Sequence, residues 1–315
     1  MIFGSQAFSA YGLCLGSDRK GKGMRRILVT GANKGIGAAI AERILEEAGD
    51  TFVFLGARDP DRGNATAERL RQAGTDRAER IQVVKIDVAS DASVDEAAQK
   101  VRDACGGDEL YGLVNNAGIG LGNEDLGTVL NVNTRGVERV CRAFMPLLAE
   151  GGRIVNITSA SGPNFVSTCS KDRQAFFTDP AVTWDEIDAL MEECIAIEGD
   201  AKAFEARGLG DGSPYGLSKA CANALTLHLA REFPQFVINA CTPGFIATDL
   251  TRAFEIERGK TAEELGMKTP REGANTPIFL LFGAPEGSGH FFGSDAKRSP
   301  LDRYRAPGSP PYTGD

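Results

Sequence analysis

Tyr215 and Lys219 stand four residues apart in Gly212-Ser213-Pro214-Tyr215-Gly216-Leu217-Ser218-Lys219-Ala220, a stretch that reads as the entrance to a helix. That spacing puts the phenol and the ammonium on one helix face. A free tyrosine loses its proton near pH ~10, and a fixed positive charge beside it favours the phenolate and lowers that value. Tyr215 would then exchange a proton near neutral pH. Tyr-x-x-x-Lys also arises by chance on exposed helices, so the pair means chemistry only if the chain supplies something to protonate.

The elements that must position this pair follow from alternating short apolar runs and helical stretches. Ile27-Leu28-Val29 leads through a glycine turn into a helix bearing Ile36, Ile40 and Ile44. The β-rich runs Thr51 to Leu55, Ile81 to Ile86, Tyr111 to Val114, Arg153 to Thr158 and Phe236 to Ala240 repeat the cycle. Strand and helix alternating in this way predict βαβ units and an α/β fold, a doubly wound parallel sheet covered on both faces. Between Ser161 and Gly212 the rhythm breaks. Thr183-Trp184-Asp185-Glu186 reads as a capping box followed by Ile187, Leu190, Met191, Cys194 and Ile195 at helical spacing, and a second short helix is expected over Asp200 to Ala206. The reading is therefore one domain over 24–296 with a helical insert at 161–212, an N-terminal extension at 1–23 and a Pro-rich, poorly ordered tail at 297–315.

Composition narrows the function classes. With 42% hydrophobic and 25% charged residues in 315, the chain is an ordinary globular protein. A formal net charge of −8 gives no reason to expect nucleic acid or an anionic membrane surface as partner, and no apolar run is long enough for a transmembrane helix. The seven cysteines are scattered and never spaced Cys-x-x-Cys, which suits reduced thiols in an intracellular, cytoplasmic setting, although 1–23 leaves organellar targeting open. His228 and His290 lack metal-like neighbours, so no metal site is expected. No Gly-x-Ser-x-Gly elbow supports a serine hydrolase.

What the tyrosine could protonate is suggested by the first βα turn. Thr30-Gly31-Ala32-Asn33-Lys34-Gly35-Ile36-Gly37 follows a strand and opens a helix. Glycines let backbone approach a pyrophosphate, and the helix start offers unpaired N–H groups and partial positive charge. The second strand ends at Gly56-Ala57-Arg58. An arginine there, with Lys34 and Arg62 near by, suits an adenosine 2'-phosphate and hence NADP(H), whereas NAD would be preferred if Asp59 faced the ribose instead. Asp87-Val88 closes the third strand, where a carboxylate reaches an adenine amino group, and Asn115-Asn116-Ala117-Gly118 closes the fourth. Ligands of open parallel sheets bind at these carboxyl ends.

Taken together, the glycine loop, Asn115-Asn116-Ala117-Gly118, Asn133, Ser159, Tyr215 with Lys219, and Pro243-Gly244 resemble the short-chain dehydrogenases/reductases over roughly 24–294. The long interval from Ser159 to Tyr215 and Phe54-Leu55-Gly56-Ala57-Arg58-Asp59 with Arg62-Gly63 are most similar to the NADPH-dependent carbonyl reductases of that family. The resemblance implies a Rossmann-type fold with a sheet of about seven strands. It further implies that Ser159 donates to a substrate carbonyl oxygen, Tyr215 delivers the proton, and Lys219 binds the nicotinamide ribose and lowers the tyrosine pKa. Asn133 would bend its helix and hold a water, while Pro243, Gly244 and Thr248 would pass along the nicotinamide. Thr158 departs from the second serine of many relatives, which leaves Ser159 available.

Phe245, just after Pro243-Gly244, is the candidate for an apolar wall of the substrate pocket, and Phe165, Phe176, Phe177 and Trp184 are read mainly as packing of the insert. An insert ahead of the tyrosine helix would cover the surface through which many relatives pair, so a monomer is expected. The reading that results is reduction of small ketones and aldehydes by NADPH, giving NADP+. A reductase dedicated to one secondary metabolite is the alternative within enzymes, and a silent dinucleotide sensor the alternative outside them.

Overall fold

The computed structural model describes residues 23–120 and 125–314, so the N-terminal extension lies outside the described residues. Eight strands form one sheet in the order β3-β2-β1-β4-β5-β6-β7-β8. They are β1 (Arg25–Val29), β2 (Thr51–Ala57), β3 (Ile81–Lys85), β4 (Leu110–Asn115), β5 (Leu148–Ile157), β6 (Val237–Cys241), β7 (Phe291–Phe292) and β8 (Arg298–Ser299). All neighbours are parallel except β7 and β8. The order reverses between β1 and β4, which opens a crevice beyond the carboxyl ends of those two strands.

Helices cover both faces. The chain runs through α1 (Gly35–Glu47), α2 (Pro60–Gln72), α3 (Asp91–Cys105), α4 (Leu126–Leu130), α5 (Gly136–Phe144), α6 (Ser161–Thr168), α7 (Lys171–Thr178), α8 (Trp184–Ile195) and α9 (Ala201–Ala206). It continues through α10 (Pro214–Glu232), α11 (Arg252–Arg258), α12 (Pro270–Gly273) and α13 (Asn275–Phe282). Alternation along the strands sorts their side chains into two cores. Ile27, Val29 and Val114 pack with Ile40, Ile44 and Leu281 on one face, and Leu28, Leu113 and Ile154 pack with Val140, Leu217 and Leu225 on the other.

The insert folds as its periodicity predicts. Thr183 and Glu186 form a reciprocal capping box, and Ile187, Leu190, Met191 and Cys194 are buried. Arg135, just before α5, anchors α8 through Asp188 at 2.7 Å and through Glu192. Phe165 and Phe177 are buried and meet edge to face at 6.0 Å, so they hold the insert together.

One strand more is present than the sequence suggests, and it comes from the segment read as a tail. Phe291 and Phe292 pair with Ser299 and Arg298. Arg305, buried, closes on Asp295 with Nη2 2.5 and 2.6 Å from its two carboxylate oxygens. Proline-rich composition hides this because two-residue strands carry no periodic pattern, and the ion pair is set by a ten-residue separation.

Candidate active site

Tyr215 enters on the first turn of α10, which starts with Ser213 as N-cap and Pro214 in the first turn. The residue is half-buried with its phenol end enclosed, and its ring packs on Gly120, where a Cβ would come within 2.8 Å of Cδ2. One turn on, Lys219 is 5% exposed, with Nζ 5.7 Å from the tyrosine ring centroid and donating to the Ile157 carbonyl at the end of β5 at 3.1 Å. Ser159 follows two residues after β5. Its hydroxyl donates to Ser161 Oγ at 3.2 Å and accepts from the Ser161 amide at 3.1 Å.

Asn133 joins the group from a single π turn over Asn131–Arg135, wedged between α4 and α5. Its Oδ1 accepts from the Ile119 amide at 2.9 Å, and its Nδ2 donates to the Ile119 carbonyl at 2.8 Å and to Ser218 Oγ at 3.0 Å. A Cβ at Gly118 would lie 3.2 Å from Asn133 Oδ1 and 3.5 Å from Lys219 Nζ, so Gly118, Asn133 and Lys219 meet at one point. The expected helix bend is therefore present as a π turn, and the asparagine clamps the loop after β4 to the tyrosine helix.

The electrostatics correct one expectation. Burial pushes the Tyr215 phenol up to about 12, with the Ser159 hydroxyl pulling it partly back, and burial pushes the Lys219 ammonium down to about 8. Among the described residues Lys219 has no carboxylate to offset its desolvation, and at the tyrosine burial outweighs the Ser159 hydrogen bond. In this arrangement Tyr215 is a protonated phenol at neutral pH. That is the form a proton donor needs, since a newly formed alkoxide is far more basic than a phenolate.

The glycine loop lies at the carboxyl ends of β1 and β4. Gly31 has φ +63°, and a Cβ there would sit 2.9 Å from Ala117 Cα. Gly37 lies so close under the loop that a Cβ would stand 2.5 Å from the Gly31 carbonyl. Lys34 is the N-cap of α1 without a side-chain cap, which leaves the N–H groups of the first turn free of a side-chain cap from the N-cap residue. Thr66 Oγ1 donates to the Asn33 carbonyl at 2.7 Å and fixes the back of the loop.

Around this loop the remaining candidates gather at strand ends. Arg58 is exposed just beyond β2, while Asp59 caps α2 by accepting from the amides of Asp61 and Arg62, and lies 3.3 Å from Arg62 Nε. Both Asp59 carboxylate oxygens are thereby engaged, and Arg58 has no side-chain partner among the described residues. Asp87, half-buried, accepts from the Ala89 amide at 3.1 Å, and Val88 packs against Gly136. Pro243 is buried, Gly244 (φ +97°) lies against Ser294, and the Thr248 methyl lies 3.4 Å from where a Gly35 Cβ would be.

Asn115 and Phe245 have surroundings that their residue types do not reveal. Asn115 turns inward, its Nδ2 donating to Asn156 Oδ1 at 2.9 Å and to Cys141 Sγ at 3.3 Å, so its side chain does not face the crevice. Asn116 does: its Nδ2 donates to the Thr30 carbonyl at 2.9 Å and the Gly31 carbonyl at 3.2 Å, and Thr30 Oγ1 accepts from the amides of Asn116 and Ala117. Alternation could have revealed this, because Leu113 and Asn115 share the α5 face of β4. Phe245 is 38% exposed and meets Phe254 edge to face at 5.7 Å. The open cleft beside it, about 570 Å³, is lined by Ala247, Thr248, Asp249, Arg252, Glu255 and Ile256, a more polar set than expected.

The chain is similar to known proteins along most of its length. The family model for short chain dehydrogenase matches residues 25–171. Carbonyl reductase (NADPH) 3 of Rattus norvegicus is 32% identical over 84% of this chain and 93% of its own length. Among solved structures, salutaridine reductase from Papaver somniferum superposes with a TM-score of 0.70 at 25% identity, covering 85% of this chain and 99% of that one. Menthone neomenthol reductase from Mentha piperita gives 0.69 at 25%, covering 86% and 99%. With its reversed-order parallel sheet, its glycine loop and these relatives along most of its length, the chain belongs to the short-chain dehydrogenase/reductase family, among the relatives of the carbonyl reductases.

Proposed function

We propose that the protein reduces ketones or aldehydes with NADPH, with Tyr215 as proton donor. The observation that carries this reading is the convergence of Ser159, Tyr215, Lys219 and Asn133 beside a glycine-lined crevice. The residues fit the cofactor. The α1 N-terminus is uncapped by side chains, side chains at Gly31 and Gly37 would close the loop, and Arg58 has no side-chain partner among the described residues while Asp59 is engaged. Gly31, Asn33, Gly35, Ile36 and Gly37 would face the pyrophosphate, and Lys34, Arg58 and Arg62 the 2'-phosphate.

Bound NADPH would supply the hydride for the carbonyl carbon. Ser159 orients the substrate oxygen by exchanging its bond to Ser161 for one to that oxygen. Tyr215, protonated across the neutral range, gives its proton as charge develops there. Lys219 would hold the ribose hydroxyls and offset the phenolate left behind, its charge favoured when such anionic or hydroxyl partners replace the solvent it lacks. Asn133 keeps the Ile119 loop closed over the same point.

Oxidation of NADPH followed with menadione and a panel of aromatic aldehydes tests the reading. Tyr215→Phe should lower turnover by about 10²–10⁴-fold while leaving NADPH binding intact in a fluorescence titration. Equal rates for the two proteins would remove the tyrosine from its role and revive the silent-sensor alternative. A second reading is favoured by the two reductase structures above, each named for one substrate. It is a dedicated reductase of a single secondary metabolite, and one strong substrate within the panel, against broad weak turnover, selects it.

A further inference from the structure

Lys34, expected to meet a phosphate, already holds a partner. Its Nζ lies 2.6 Å from Asp249 Oδ2, joining the glycine loop to the loop after β6 across 215 positions of sequence. Both side chains are more than half exposed, at 56% and 67%, so the pair sits at the rim, where another anion can reach it. The neighbouring Thr248 methyl lies against Gly35, so two adjacent residues of one loop press on two adjacent residues of the other. Asp249 also feels further cations. Its carboxyl is held below the usual range first by Lys34, then by Arg252 and Arg62. Asp249 therefore sits among Lys34, Arg252 and Arg62, the last also paired with Asp59, at the place where Lys34 and Arg62 would receive a 2'-phosphate.

A phosphate dianion brings three acceptor oxygens and about twice the charge of a carboxylate. Lys34 is a compact ammonium, and two anions sharing it would repel each other. From this geometry we infer that Asp249 is an internal counter-ion of the 2'-phosphate subsite: it holds Lys34 across the rim, and the cofactor's phosphate must displace it to bind. Asp249 is thus a specificity-tuning residue that acts through Lys34. The inference rests on the NADPH reading above and adds to it a competitor built into the chain.

Isothermal titration of the full chain at low ionic strength with adenosine 2',5'-bisphosphate and with adenosine 5'-monophosphate tests it. Exposed ion pairs are weak, so Asp249→Asn should tighten the bisphosphate by about two- to fivefold and leave the monophosphate unchanged. The gain should shrink with added salt, vanish in a Lys34→Met background, and be absent in Asp249→Glu. If wild type prefers the bisphosphate but Asp249→Asn binds it no better, or binds both nucleotides better by the same factor, the counter-ion is overturned alone. If wild type binds the two nucleotides equally, the NADPH reading falls and the counter-ion with it.

Discussion

The two sides of the crevice are built in opposite ways. On the glycine-loop side, Thr30 Oγ1 and Asn116 Nδ2 are bonded to backbone, Thr66 holds the Asn33 carbonyl, and the clearances are those of atoms in contact. On the side of Phe245, α11 buries none of its residues, Ile256 is 76% exposed, and Phe245 meets Phe254 edge to face. The first surface is shaped by the backbone and accepts no added atoms. The second is shaped by side chains that hold little of the fold, so it can change with the substrate while the chemistry stays put.

Substitutions should expose this asymmetry. Gly37→Ala places a methyl against the Gly31 carbonyl, and a destabilisation of about 2–3 kcal/mol with loss of dinucleotide binding is expected from urea unfolding and titration with NADPH. Retention of wild-type stability would mean that the loop is not rigid. Lys219→Met should abolish turnover yet make the protein more stable at pH 7. The buried ammonium is pushed from 10.5 to about 8, so between these values the unfolded chain binds more protons, and the penalty present below pH 8 is relieved as pH rises. The full penalty is at most about 3 kcal/mol, less the lost bond to Ile157. Buried thiols such as Cys141, pushed up to about 12, destabilise the fold over the same range, so the quantity to measure is the difference between variant and wild type. That difference should narrow from pH 8 to pH 10.5, and a flat difference would count against a charged, buried Lys219. Smallest in stability is Phe245→Ala, expected within about 0.5 kcal/mol of wild type, with the ranking of bulky over small aldehydes altered in the rate assay. An unchanged ranking would take Phe245 away from the substrate.

Much of the sheet and the Tyr215, Lys219 and Ser159 set was legible in sequence because each depends on local pattern: strand runs, a helix entrance, and fixed spacing. What escaped depends on closeness in space. Asn115 and Asn116 are indistinguishable by type, and only their facing on β4 sends one to Cys141 and the other to the glycine loop. The Lys34 partner lies across the crevice, and the pair β7–β8 is too short to have a period. The tyrosine's upward shift was misjudged for a similar reason. Charge proximity is visible in a spacing of four, but the burial that raises the phenol comes from packing distant in sequence, such as Gly120 against the ring.

The π turn at Asn131–Arg135 carries a last implication. An extra residue per turn rotates all that follows by roughly 100° relative to a regular helix. Upstream of that offset, Asn133 faces Ser218 on the tyrosine helix, and at its far edge Arg135 grips Asp188 and Glu192 on the insert. One short turn thus joins the insert to the helix that bears Tyr215, with the two contacts only two residues apart.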